Sequence, residues 1–307
     1  MLCQETNDQR AQVHVTVCVC TFRRPQLLQR GLMALQRMDT KGEFTFSIVV
    51  ADNDSNQSAR TVVEECAKTA TIDIAYCVET QQNIALARNQ AIRRGRGEFV
   101  AFIDDDEWPS EQWLSLMLKT CETCHADGVL GPVVPHFDQV PPTWVVSGRF
   151  WERQRYVTGH VVKWEDSRTG NVLFRLSIVE GMAEPFDPRF DNGGEDTDFF
   201  KRMTSQGRIF VWCDEAIVYE TVPANRLTRS YMMKRGLLRG RIILKHSERR
   251  WRYIAISLAA VPVHAALLPV ATLRGQHVVM RHLVSLSDHV GRLLAILGLR
   301  PVSTRDP

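Results

Sequence analysis

"FVAFIDDDEWP", residues 99–109, sets five apolar or aromatic residues directly before four consecutive acids. The apolar run has the length and composition of a buried strand, with Asp104, Asp105, Asp106 and Glu107 at its end. Like charges this close repel, so the run is costly unless water reaches it freely or a cation sits among the acids. A solvated acidic turn and a metal site both meet that condition. The flanking sequence decides between them by fixing where the strand lies.

Upstream, short β-rich runs alternate with helical patterns. "VHVTVCVC" (13–20) reads as a strand, "PQLLQRGLMALQRM" (25–38) as a helix opened by proline, and "FTFSIVVAD" (44–52) as the next strand. The helix "SARTVVEECAKT", the strand "IDIAYCVE" and the helix "ALARNQAIRRG" then lead into the acidic strand. Right-handed crossovers make such a series a mostly parallel, Rossmann-like sheet flanked by helices, with any ligand crevice at the carboxyl ends of its strands. Both "DND" (52–54) and "DDD" (104–106) fall at that edge.

Downstream, a helix is expected from Ser110 as N-cap to about Cys124, followed by a strand over 128–137. Residues 141–165, rich in Pro, Trp and Arg, read as an irregular lid or acceptor-facing stretch. "TGNVLFRLSIV" (169–179) returns to strand, "GGEDTDFFKRMTSQG" enters a helix ending near Gly207, and "RIFVWCDEAIVYE" (208–220) reads as a last strand pair. This divides the chain into an α/β domain over 12–225 and a helical tail over 226–307.

The 307 residues are 44% hydrophobic and 24% charged, as in folded globular proteins. The net charge of +3 hides an asymmetry, because residues 226–307 hold 15 Lys and Arg against 3 Asp and Glu. Such a basic tail suits anionic lipid, nucleic acid or a phosphate-bearing substrate. It begins with the helical pattern "LTRSYMMKRGLLRGRIILKH", where Arg235 and Arg239 share a face. Residues 254–273 then run without Asp, Glu, Lys or Arg, long enough to cross a hydrocarbon core of ~30 Å. Pro262, Pro269 and His264 interrupt the run, so an interface-lying or re-entrant segment competes with a spanning one. The first residues have neither a basic start nor an apolar core, which points to a cytoplasmic, reducing setting. The eight cysteines accordingly read as small core residues, and Cys121 and Cys124 of "CETCH" as helix-packing groups without a second ligand pair for zinc.

Several constellations at the strand ends are compatible with chemistry. Carboxylates after a buried strand suit Mg2+ or Mn2+, which take one or two carboxylates together with substrate phosphates. "VVADNDS" offers polar groups for a base or ribose, or else a strand-ending turn. Arg88 of "NIALARNQAI" suits phosphate or a structural ion pair. In "DNGGEDTDFFKR", Glu195 and Asp196 after a glycine pair suit proton transfer, or else the capping of a helix.

Taken in order, "VCVCTFRRP", "VVADNDS", "NIALARNQAI", "VAFIDDDEWP", "GNVLFR" and "GGEDTDFFKRM" resemble the family-2 glycosyltransferases of GT-A fold. The later "VYETVPANRLTRSYMMKRGLLRG" is similar to the bacterial branch that makes succinoglycan-type exopolysaccharide. The resemblance implies inverting transfer of a sugar, glucose in that branch, from a UDP-sugar to a lipid-linked saccharide at the cytoplasmic face of the membrane. It implies Thr21 and Phe22 beside the nucleotide, Asp52 at the base, and Arg88, Asp104 and Asp105 in the nucleotide pocket. Asp106 and Asp104 would hold Mg2+ or Mn2+, Asp196 would be the catalytic base with Glu195 its neighbour, and Arg235 and Arg239 would meet acceptor or lipid phosphate. Two departures stand out: Asn53 where many relatives have a second acid, and Cys20 in place of a proline.

Two other readings make different use of the same residues. A nucleotidyltransferase also sets acids on an α/β sheet, but "TFRRP" is a poor substitute for a glycine-rich phosphate loop. A nucleic-acid-binding protein would use the basic tail with Trp251 and Tyr253, though the adjoining apolar run fits lipid better, so no nucleic-acid partner is expected.

Overall fold

Val15, Val17 and Val19 alternate with Cys18 along the first strand, and each set is buried in a different cluster. A strand buried on both faces belongs in the middle of a layered α/β sheet. The computed structural model describes residues 12–190, 193–246 and 250–299. They form two compact units, one of residues 12–133, 154–190 and 195–219, the other of 134–153, 193–194, 220–246 and 250–299.

In the first unit, β1 (His14–Thr21), α1 (Pro25–Leu35), β2 (Thr45–Asp52), α2 (Arg60–Thr69), β3 (Ile74–Val78), α3 (Ile84–Arg94) and β4 (Phe99–Asp104) follow the expected alternation. Pro25 stands in the first turn of α1, where its missing N–H is no loss. Leu28, Leu32 and Leu35 of α1 are almost fully buried, each contributing about 1.5–3 kcal/mol. Residues of α1, α2 and α4 (Trp113–Thr123) share one cluster with Val15, Val17 and Val19. Those of α3 and α6 (Glu195–Ser205) share the other with Cys18, so helices cover both faces.

The seven-stranded sheet runs β3-β2-β1-β4-β8-β6-β9, with β6 (Gly128–Leu130), β8 (Asn171–Arg175) and β9 (Phe210–Trp212). β1 pairs in parallel with β2 and β4, whereas β8 is antiparallel to both β4 and β6. A second, three-stranded sheet has the order β5-β10-β7, with β5 (Glu107–Pro109), β7 (Val133–His136) and β10 (Val218–Thr221).

The expected elements are corrected in several places. The strand expected over 128–137 is broken into β6 and β7 at Gly131 and Pro132, where a Cβ on Gly131 would lie 2.5 Å from the Ala216 carbonyl oxygen. β9 and β10 are not a pair, since each joins a different sheet. The strand expected over 169–179 ends at Arg175, and Leu176–Val179 coils into a short 3-10 turn. Ser110 does not cap α4: its N–H donates to the Ile217 carbonyl, and the helix starts after Gln112. The stretch 141–165 is not wholly irregular, because α5 (Thr143–Gly148) forms within it and buries Trp144 and Val145.

The second unit packs α5, α7 (Arg229–His246) and α9 (Gln276–Ile296) around Trp144, Trp151, Met232, Met280 and Val284. Glycines let α7 and α9 approach closely. A Cβ on Gly240 would lie 2.0 Å from the Asp288 carbonyl oxygen, and one on Gly291 2.2 Å from that of Leu237. With Gly236 this is a small-residue seam of i, i+4 spacing. α8 (Arg250–Arg274) keeps helical geometry through Pro262 and Pro269.

Candidate active site

Register brings distant residues of the first unit to one edge. β1 aligns Thr21 with Asp52 of β2 and Cys20 with Asp104 of β4, so the carboxyl ends of three parallel strands lie side by side. Strands are added outward from β1 to β3 and the chain then returns to β4 on the other side of β1, the switch point at which open α/β sheets bind ligands.

The three aspartates differ in surroundings. Asp105 is buried; its Oδ2 accepts a 2.8 Å bond from the Thr21 hydroxyl and its Oδ1 a 3.1 Å bond from Arg24 Nη1. Burial pushes its carboxyl up to about 6, against the pull of Arg24. Arg24 Nη1 also lies 3.3 Å from Asp106 Oδ2, tying the second and third acids together. Asp104 is the open one, its side chain 47% exposed and 3.9 Å from Arg88 Nη2. The Asp104 N–H donates to Glu107 Oε2 at 2.9 Å, which folds the acidic turn back on itself. Gly170 leaves room beside it: a Cβ there would lie 3.1 Å from Asp104 Oδ2 and 2.9 Å from Glu107 Oε1.

Arg88 joins this turn to the start of α6. Its Nη1 donates to Glu195 Oε1 in a buried ion pair. Burial alone would lower the Arg88 pKa, but Glu195, Asp104 and Asp196 outweigh it and hold the guanidinium firmly charged. Burial raises the Glu195 carboxyl, with Arg88 opposing. The neighbouring Asp196 is half-buried, and its Oδ1 accepts a 2.7 Å bond from the Thr197 N–H. Gly193 and Gly194 precede them at φ of 99° and 97°, a region open to glycine.

Two asparagines of the same helix and its cap secure the arrangement. Asn83 caps α3 by accepting from the Ala85 N–H and donates to the Pro188 carbonyl at 2.8 Å. Asn89 donates to the Phe186 carbonyl at 2.7 Å and accepts from the Phe186 N–H at 2.9 Å, holding the segment that leads toward α6.

The structure thus gathers Thr21, Arg88, Asp104, Asp105, Asp106, Glu195 and Asp196 in one unit, through the contacts just described. Phe22 is half-buried, with the Arg23 guanidinium 4.9 Å from its ring centre. Asp52 is fully buried, accepting from the Asp54 and Ala59 N–H groups at 3.0 and 2.9 Å and from the Tyr76 hydroxyl at 2.9 Å. Those bonds shape the 52–59 turn. Asn53 Nδ2 donates to the Glu79 and Gln81 carbonyls. In the second unit, the Arg235 guanidinium lies 4.6 Å from the Trp151 ring centre, and Arg239 pairs with Asp288 at 3.2 Å. Sequence reasoning passed over Arg24 and Gly170 as site residues. Arg24 lies three residues past the end of β1, and its link to the acidic turn depends on the pairing of β1 with β4.

Among the described residues no group of three or more His, Cys, Asp or Glu is arranged to hold a metal by itself. The donor set at the turn is all oxygen. An exposed Asp104 and a nearby Asp106 suit a hard divalent ion that completes its shell on phosphate.

Comparison with known proteins settles the family. The model of "Glycosyl transferase family 2" matches residues 16–177. The chain belongs to glycosyl transferase family 2. It is 33% identical to the succinoglycan biosynthesis protein ExoM of Rhizobium meliloti strain 1021, over 94% of this chain and 95% of that one. The mannosyltransferase PcManGT of Pyrobaculum calidifontis, solved with GDP-Man and Mn2+, superposes with a TM-score of 0.62 at 19% identity, covering 92% of this chain and 88% of that one. Staphylococcus aureus TarS residues 1–349, solved with UDP-GlcNAc, gives a TM-score of 0.53 at 16% identity, over 94% and 93%. This family-2 enzyme is therefore a glycosyltransferase with the GT-A fold.

Proposed function

We propose that this glycosyltransferase moves a sugar, with glucose the expected one, from a UDP-sugar to a hydroxyl of a lipid-linked saccharide, with inversion, in exopolysaccharide synthesis. The observation that carries this reading is Arg88, whose guanidinium lies between the open carboxylate of Asp104 and the buried carboxylate of Glu195. One residue thereby couples a phosphate-and-metal turn to the helix start that bears Asp196. The likeness to a succinoglycan biosynthesis protein over nearly the whole chain supports the pathway class, and the UDP-GlcNAc complex of TarS supports the donor class.

Asp104 and Asp106 would hold Mg2+ or Mn2+, which when bound supplies positive charge to a diphosphate leaving group. Thr21 and Asp105 brace the crevice floor through their mutual hydrogen bond, and Phe22 stands at the end of the same strand for the base. Asp52 acts on the base indirectly, through the turn it holds. Asp196 takes the proton of the acceptor hydroxyl as that oxygen bonds to the anomeric carbon and the bond to the diphosphate oxygen breaks, its electron pair leaving with UDP. Glu195 stays paired with Arg88 and fixes the helix start. Arg235 and Arg239 lie on the basic helix proposed to meet anionic acceptor or lipid, Arg239 already neutralised in part by Asp288. The enzyme works at the cytoplasmic face of the membrane, where α8 meets lipid.

The test is turnover of UDP-sugars with a lipid-linked saccharide acceptor, comparing the wild type with Asp196→Asn. Loss of transfer by roughly 10²–10⁴-fold with unchanged UDP binding is the expected result. Near-normal transfer by the folded variant would remove the base assignment.

A further inference from the structure

Ser257 and His264 of α8 are turned inward. Ser257 Oγ lies 3.1 Å from His289 Nδ1 and His264 Nδ1 lies 3.0 Å from His282 Nδ1, both partners on α9. The outward face is apolar: Ile256, Leu258, Val263, Leu267, Val270 and Leu273 are 41–87% exposed. This inverts the pattern of a helix on a water-soluble surface. Among the described residues α8 is the helix long and apolar enough to cross a membrane.

Its neighbour argues against crossing. Gly275 alone joins α8 to α9, and the two side-chain contacts align the helices antiparallel along their length. That alignment sets Arg281, Asp288 and Arg292 of α9 beside the uncharged stretch 254–273. Asp288 is buried between Arg292 at 2.8 Å and Arg239 of α7 at 3.2 Å, and the glycine seam holds α7 against α9. A crossing α8 would carry α9, and the charged α7 behind it, into hydrocarbon, where such groups are strongly disfavoured.

We infer that α8 lies along the surface of an anionic bilayer, its outward apolar face in one leaflet and its inward polar face on α9. The inference rests on the reading that the basic helical unit meets lipid. An in-plane helix of 25 residues presents an edge about 37 Å long. Exposed Arg250 and Arg252 at one end and Arg274 at the other suit anionic headgroups, and Trp251, 70% exposed, suits the interface. Asp288, the sole acid among the described residues of α7 to α9, is buried and paired, so none of those described residues sets an exposed carboxylate against an anionic surface. A second copy would bring the same cations against each other.

Two measurements on the full chain test this. Flotation with phosphatidylcholine vesicles, with and without phosphatidylglycerol, is expected to recover the protein on the anionic vesicles, and Leu258→Asp with Leu267→Asp to weaken binding at least tenfold while leaving UDP binding intact. In inverted membrane vesicles from expressing bacteria, Gln276→Cys at the α8–α9 turn is expected to react with an impermeant maleimide as fully as Glu43→Cys on the α/β unit, over the unsubstituted background. Flotation together with a Gln276→Cys that reacts only after detergent would overturn the in-plane placement and leave the lipid reading standing. No flotation on either vesicle, or a dimer in solution that the aspartates split, would overturn both.

Discussion

Leu32 and Leu258 are the same residue on two helices, yet one is 0% and the other 60% exposed. On α1, in the α/β unit, the apolar stripe faces the sheet and polar side chains face water. On α8, in the helical unit, Ser257 and His264 face a neighbouring helix and Leu258, Leu267 and Leu273 are exposed. The charges differ as well, since the α/β unit gathers acids at its strand ends while α7 to α9 pair Asp288 inside and leave Arg250, Arg252 and Arg274 exposed. On the proposed reading the two regions meet different environments, a polar crevice at the strand ends in one and a lipid surface in the other.

The largest stability effect expected is at Arg88. Arg88→Ala orphans the buried Glu195 and should cost about 3–5 kcal/mol in denaturant unfolding, with Glu195→Gln in the same chain restoring part of it. Leu32→Ala, which opens a cavity in the α/β core, should cost about 2–5 kcal/mol. A pH effect follows from Asp105, whose carboxyl is raised from 3.8 to about 6. The native state then keeps a proton that the unfolded chain has released, so this residue's contribution is full below pH 3.8 and declines as pH rises through about 6. In metal-free buffer the decline should be roughly 2–3 kcal/mol, and Asp105→Asn should abolish that part of the pH profile. Gly240→Ala forces α7 from α9 and should cost about 1–3 kcal/mol. Leu258→Ala, the counterpart of Leu32→Ala, should change stability by less than about 0.5 kcal/mol while reducing vesicle binding. Equal costs for the two leucine variants would break the comparison.

Much of this was legible in sequence because the signal was local. The alternation of strand and helix up to Asp104, the proline start of α1 and the acids at strand ends all depend on residues close in the chain. What was missed depends on pairing across long separations. Nothing in "NVLFR" says that β8 runs antiparallel between β4 and β6, because a buried strand reads the same in both directions. The bond between Arg24 and Asp105 becomes visible only once β1 and β4 are known to be neighbours, and the roles of Gly236, Gly240 and Gly291 only once α7 and α9 touch. The resemblance places Asp52 at the base, and only the fold adds that its oxygens hold the turn that follows it.

The measurement that bears most directly on the account is calorimetric titration of UDP, GDP and ADP with and without Mn2+, in the wild type and in Asp104→Asn, whose half-exposed side chain makes the substitution mild to the fold. The account predicts that UDP binds best, that Mn2+ tightens it at least tenfold, and that the variant loses this gain while keeping its unfolding midpoint. Equal UDP affinity with Mn2+ and with chelator, or a variant that binds like the wild type, would contradict the reading of the acidic turn as a metal-assisted nucleotide-sugar site.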